Sequence, residues 1–307
     1  MKKYYNSVSL YSKFINFSFK FTNAKKNYLT EENAKKFINN YQHTKKNYNK
    51  YDKCKLIKYN IETYEVYFYN GSIDELKDKI ILYIHGGSFV EEAISYQIEF
   101  AKKIAKKTNS TLIIPRYQLI PEGNYKTMYK LIDNIYNKIK QTNREIHFLG
   151  DSSGGGFVLS YAMYLRDKND ILPKNILMLS PWIDLSMENE ELKESEKLDN
   201  MSGLAGNKYC GKLWADDLNI KDAKISPIYG DLTKLPKLTI ATGSYDILKP
   251  DCLRLCKILD ENEIDYNYIE YKNQGHDFGM YPTKEGNLLI DDFSNIINFV
   301  EVIRNGR

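Results

Sequence analysis

Glu145-Ile146-His147-Phe148-Leu149-Gly150-Asp151-Ser152-Ser153-Gly154-Gly155-Gly156 runs directly into Phe157-Val158-Leu159-Ser160-Tyr161-Ala162-Met163. Residues 145–149 are mostly large and apolar, as in a short buried strand, whereas the apolar positions after the glycines recur at helical spacing. Ser152 therefore sits in a strand-to-helix turn. Gly150 and Gly154 lie two residues to either side of it, where a Cβ would collide if the chain reversed sharply. Three successive glycines at a helix start each cost roughly 1 kcal/mol of helix propensity relative to Ala, so helix stability does not explain them. Presentation of one hydroxyl above a sheet does: Gly-x-Ser-x-Gly is the pattern of a nucleophile elbow, whose first helical amides, beginning with the Ser153 N–H, point at a developing oxyanion. An ordinary tight turn or a phosphate cradle uses similar glycines, but a phosphate cradle needs a Lys after them and none follows.

With 307 residues and 42% apolar side chains, the chain is long enough for one large α/β domain with an insertion. The net charge of +4 is spread through a sequence in which Asp and Glu are interspersed. No basic stripe forms, so nucleic acid is not an expected partner. Met1-Lys2-Lys3 resembles the start of a secretory signal, yet no apolar core follows, and no stretch is long enough to cross a bilayer. Cys54, Cys210, Cys252 and Cys256 are scattered. The last two are four apart on a predicted helix and read as packing residues, so a reducing cytoplasm is the expected location.

Residues 1–50 read as a basic, helical segment in which Leu10, Phe14, Phe17 and Phe21 form an apolar stripe with Lys13 and Lys20 off it. Such a stripe suits a membrane-surface helix, but the expectation is that it packs on the protein's own body. Residues 53–59 and 64–69 alternate as antiparallel edge strands before an Asn70-Gly71 turn signal. Ile80-Ile81-Leu82-Tyr83-Ile84 is a continuous apolar run, as in a strand covered on both faces. Helices at 94–107, 125–140 and 153–167 then alternate with strands at 111–115, 145–149 and 175–179. Alternation of this kind predicts a mostly parallel sheet flanked by helices. It breaks over 186–225, read as an insertion, and resumes with strands 237–242 and 266–271 and helices 249–262 and 285–303. The catalytic core is thus assigned to 51–185 and 226–307, and the helical cap to 1–50 and 186–225.

In such a sheet the site lies beyond the carboxyl ends of the strands, and four groups fall there: His85-Gly86-Gly87-Ser88, Ser152, Asp246 and His276. A serine hydroxyl needs a base, and the base needs a carboxylate to orient it. Of four histidines, His147 lies inside a buried strand, His43 in the N-terminal segment and His85 before a glycine pair. His276 remains, in a loop after the last strand. Asp246 is the expected acid, with Asp251 and Asp184 as rivals. Gly86 and Gly87 allow close backbone approach to a carbonyl, so Gly86, Gly87 and Ser153 are the expected oxyanion donors, with Ser88 beside them.

At these residues the chain resembles the bacterial hormone-sensitive-lipase-like branch of the α/β-hydrolases. The matching segments are His85-Gly86-Gly87, Arg116-Tyr117-Gln118-Leu119-Ile120-Pro121-Glu122, Gly150-Asp151-Ser152-Ser153-Gly154-Gly155, Ser180-Pro181-Trp182-Ile183-Asp184-Leu185, Ser226-Pro227, Gly243-Ser244-Tyr245-Asp246-Ile247-Leu248 and His276-Asp277-Phe278. The resemblance implies an α/β-hydrolase fold and carboxylesterase activity on short-acyl-chain esters, with no metal or cofactor. It further implies a cap built from the N-terminal helices and the 186–225 insertion. His85, Tyr117 and Glu122 would brace the oxyanion loop, and Asp151 would be structural or substrate-facing. Ser88 stands where the family often has a third glycine, and Arg116 where it often has an aspartate. Two other readings share the framework, namely an amide or formamide hydrolase with the same triad and a non-catalytic receptor for a small ligand. The family allows monomers and homodimers alike.

Overall fold

The computed structural model describes residues 1–44 and 50–302. In chain order they form β1 (Lys2–Tyr5), α1 (Leu10–Ser18), α2 (Ala24–Tyr28), α3 (Glu31–Thr44), α4 (Lys50–Lys53), β2 (Ile57–Ile61), β3 (Tyr64–Tyr69), β4 (Lys79–Ile84), α5 (Ser95–Thr108) and β5 (Ser110–Pro115). There follow α6 (Tyr125–Ile139), β6 (Glu145–Asp151), α7 (Ser152–Asp167), β7 (Asn175–Leu179), α8 (Leu192–Leu198), α9 (Leu204–Ala215), β8 (Lys237–Gly243), α10 (Lys249–Glu261), β9 (Tyr266–Tyr271) and α11 (Lys284–Val302).

The nine strands form one sheet in the order β1-β9-β8-β7-β6-β4-β5-β3-β2. Only β2 with β3 and β3 with β5 pair antiparallel, at one edge. From β5 to β1 every pairing is parallel, and β4 and β7 are buried at every residue. That burial is why their sequences read as unbroken apolar runs. Apolar cores lie on both faces, one built around Phe148, Tyr161 and Trp182, the other around Phe100, Tyr271 and Phe293.

Three expectations change. Residues 2–5 are not helical: they add a strand parallel to β9, with Lys2 opposite Tyr268 and Tyr5 opposite Tyr271. Four residues are too short to show a period, and neighbours distant in sequence hold them. Tyr5 stacks on Tyr271 with ring centroids 4.4 Å apart, and Asp292 accepts from Lys3 Nζ (2.6 Å), Tyr5 (2.9 Å) and Tyr271 (3.2 Å). The first edge strand begins at Ile57 rather than Lys53, because α4 is followed by a left-handed residue at Lys55 (φ 56°). The apolar stripe of α1 does not pack on the body: Leu10, Phe14, Phe17 and Phe21 are exposed. The expected end of the last helix at Ile303 and residues 45–49 of the N-terminal segment lie outside the described residues.

The N-terminal helices and the insertion pack on each other above the sheet. A Cβ on Gly206 of α9 would come within 2.5 Å of Tyr28 Cα at the end of α2, an approach only glycine permits. Phe89 lies flat on Trp214 of α9, centroids 3.9 Å apart. Among the described residues no helix is long and apolar enough to cross a membrane.

Candidate active site

The turn between β6 and α7 puts Ser152 in the left-handed region (φ 49°), costly for a residue with a Cβ and sustained only by the surrounding structure. The flanking glycines make that turn possible. A Cβ on Gly154 would lie 2.1 Å from Ile84 O, and one on Gly150 would lie 2.5 Å from Gly154 O. Strand β4 and the turn thus interlock at van der Waals distance, lifting the hydroxyl to the rim.

His276, in the loop after β9, brings Nε2 to 2.9 Å from Ser152 Oγ and Nδ1 to 3.0 Å from Asp246 Oδ1. Asp246 follows β8 and also accepts from Leu248 N–H (2.9 Å) and Thr242 Oγ1 (3.1 Å). Burial opposes its charge, but the His276 imidazole, the Ser180 hydroxyl and the Leu248 N–H outweigh burial and hold the carboxyl below its usual range. Burial likewise opposes the imidazolium of His276, yet the carboxylates of Asp277, Asp246 and Asp199 outweigh it and hold the group up at about 10. The rivals sit elsewhere. Asp184 accepts from Ser186, Tyr229 and Arg254, and Asp251 accepts from Asn189. Both tie the insertion to the core. His147 is buried beside Asn175, which lies 3.1 Å from its Nδ1, and burial lowers its pKa to about 3.

Asp151 is a structural anchor. It accepts from Tyr83 OH, from Gln97 Nε2 at 2.7 Å and from Gly86 N–H at 3.0 Å. That last bond corrects the expected donor set, because the Gly86 amide is occupied within the protein. The Gly87 and Ser153 amides carry no hydrogen bond to any described residue and are free to meet a carbonyl oxygen. The conformation of the loop is held from below by His85, whose ring stacks on Tyr117 at 4.5 Å while Tyr117 OH donates to His85 O at 2.8 Å. Glu122, expected to brace the loop, is exposed and makes no hydrogen bond there. Arg116 instead links Glu65 (2.8 Å) to the buried Glu92 (2.9 Å), just beyond the loop. Ser88, at the position of the missing glycine, reaches across to the insertion, its Oγ 2.8 Å from Asn207 Oδ1.

Sequence reasoning missed Asp199. It lies at the end of α8 in the insertion, fully buried, and its Oδ2 accepts from Ile247 N–H (3.0 Å) and His276 N–H (3.2 Å). One carboxylate thereby couples the acid loop to the histidine loop. Its only sequence signal is an acidic residue closing a charged helical run, which reads as solvated surface. Asp277 is the second omission: its Oδ2 lies 3.4 Å from His276 Nε2, and burial pushes its carboxyl well above the usual range. The cavity over these groups measures about 280 Å³ and is lined by Phe19 and Tyr28 of the N-terminal segment, by Met201, and by Glu91 and Tyr281.

Residues 81–280 match the family model described as alpha/beta hydrolase fold. The chain belongs to this α/β-hydrolase family. Over 210 residues this α/β-hydrolase-family chain is 25% identical to an esterase of Acinetobacter venetianus, a match covering 66% of the chain and 68% of that relative. It is 26% identical over 222 residues to an acetyl esterase of Salmonella schwarzengrund, covering 66% of each. The matches thus span about two thirds of these relatives' lengths. A solved esterase from the bacterial hormone-sensitive lipase family shares the α/β-hydrolase fold at TM-score 0.73 and 21% identity, over 79% of this chain and 83% of its own.

Proposed function

We propose that this α/β-hydrolase-family protein is a serine carboxylesterase of the hormone-sensitive-lipase-like branch, acting on small esters with short acyl chains. One observation carries the reading: the two ring nitrogens of His276 lie within hydrogen-bond reach of a serine hydroxyl, held on a strained backbone at the floor of the cavity, and of a buried carboxylate. Ser152 Oγ attacks the ester carbonyl as Nε2 takes its proton, and Asp246 stabilises the imidazolium that results. The carbonyl oxygen becomes an alkoxide facing the Gly87 and Ser153 amides, each such donor being worth about 2.7–4 kcal/mol in the transition state. The imidazolium returns the proton to the departing alcohol, and water, deprotonated by the same nitrogen, releases the acid from the acyl-enzyme. A cavity of about 280 Å³, just under the usual range for ligand sites, supports a short acyl group. So do relatives named as acetyl esterase and acetyl-hydrolase.

Ser152→Ala is expected to lower turnover of p-nitrophenyl acetate by about a millionfold, the scale for loss of such a nucleophile, and to abolish fluorophosphonate labelling. Labelling that persists in the variant, or wild-type protein that binds the ester without turning it over, would remove the assignment.

A further inference from the structure

Helix α1 is docked inside out. Its angular positions place Ser12, Ile15, Asn16 and Phe19 on one side and Leu10, Phe14, Phe17 and Phe21 on the other. The side turned to the protein is the more polar one. Ser12 donates to Gln274 Oε1 at 2.5 Å and Asn16 Nδ2 to Asn273 O at 2.9 Å, while Phe19 packs on Tyr281 at 5.2 Å. Ser9 caps the helix and donates from both backbone and hydroxyl to the buried Glu285. The helix is therefore fastened, and its apolar side faces out. Leu10 is 82% exposed, Phe14 63% and Phe21 77%, with Leu29 joining the same surface at 45%.

Charge selects the occupant. The first 30 residues hold six lysines and no Asp or Glu. Lys2 and Lys3 are taken by Asp260 and Asp292, and Lys25 donates to the backbone of Glu196 and Asp199. Lys13 and Lys20, seven residues apart on the flank of the apolar side, make no ion pair among the described residues, and Lys20 Nζ hangs 5.9 Å from the Phe17 ring. An apolar strip edged by unpaired cations matches the boundary of an anionic lipid bilayer, where rings enter the acyl region and ammonium groups meet headgroup charge. The same segment lines the cavity through Phe19, Thr22 and Tyr28, so the strip adjoins the mouth of the candidate site.

We infer that the outward face of α1, continued by Phe21 and Leu29, is a peripheral docking surface for anionic lipid bilayers that sets the cavity mouth at the lipid boundary. Binding through it does not depend on hydrolysis and is measured without turnover. The full chain is floated with phosphatidylcholine vesicles with and without phosphatidylglycerol, at low and high salt. Retention on the anionic vesicles, weakened by salt, is expected. Phe14→Gln with Phe17→Gln should lower the partition about tenfold or more, and Lys13→Glu with Lys20→Glu should abolish the preference for anionic lipid. Both pairs should leave p-nitrophenyl acetate turnover unchanged, which shows that they fold. Equal flotation of wild type and both variants, or none by wild type, would overturn the inference. So would a wild-type dimer in sedimentation that the phenylalanine pair dissolves without lipid binding, since the face would then belong to a second copy.

Discussion

At the residue scale, His276 faces two opposed demands. Its pKa is held up at about 10 against an ordinary 6.5, because the neighbouring acidic groups, the ionised Asp246 among them, outweigh the effect of burial. Because the folded value exceeds the unfolded one, the charged imidazole contributes stability fully below pH 6.5, and that contribution is lost as pH rises toward 10. Proton abstraction needs the neutral ring, so turnover climbs through the same interval. Esterase rates and thermal melts recorded across it should move in opposite directions. An acid limb of the rate profile fixed near 6.5 would contradict this electrostatic account. Asp199 is a positioning residue whose effect should fall on kcat. Alanine there leaves the Ile247 and His276 amides buried without an acceptor, at about 1–3 kcal/mol each, so turnover should drop by about ten- to a hundredfold with KM little changed. Asparagine keeps an acceptor oxygen and should recover part of the loss. A role confined to stability would lower Tm and leave kcat per folded molecule intact.

At the scale of elements, the edges of the sheet differ in what holds them. The β2–β3 edge is a local hairpin, closed by the two residues between Ile61 and Tyr64, and alternation in the sequence announces it. The β1 edge is closed by contacts with residues more than 250 positions away. Asp292 is its clamp, joining Lys3, Tyr5 and Tyr271. Asp292→Ala should therefore cost about 1–3 kcal/mol, visible as a lower Tm, while esterase activity of the folded fraction persists. An unchanged Tm would mean that β1 contributes little.

At the scale of the whole molecule, the candidate site is roofed by two segments far apart in sequence, α2–α3 and α8–α9, which meet where Gly203 and Gly206 press on the Tyr28 backbone. Gly206→Ala forces backbone against backbone, so it should destabilise by about 1–3 kcal/mol and raise KM by displacing Tyr28 from the cavity wall. Wild-type KM and Tm would show that the two segments move apart freely. The strand–helix alternation, the elbow glycines and the order of Ser152, Asp246 and His276 were legible in the sequence because each depends on near neighbours: a two- or 3.6-residue period, or a Cβ missing where the chain turns on itself. Burial and pairing decided the remainder. The Gly86 amide is spent on Asp151, Glu122 faces solvent, Asp199 is drawn under the histidine loop and the aromatic stripe of α1 turns outward. None of these could be read locally, because whether each group is satisfied, covered or left to solvent depends on distant parts of the chain that only the folded sheet brings together.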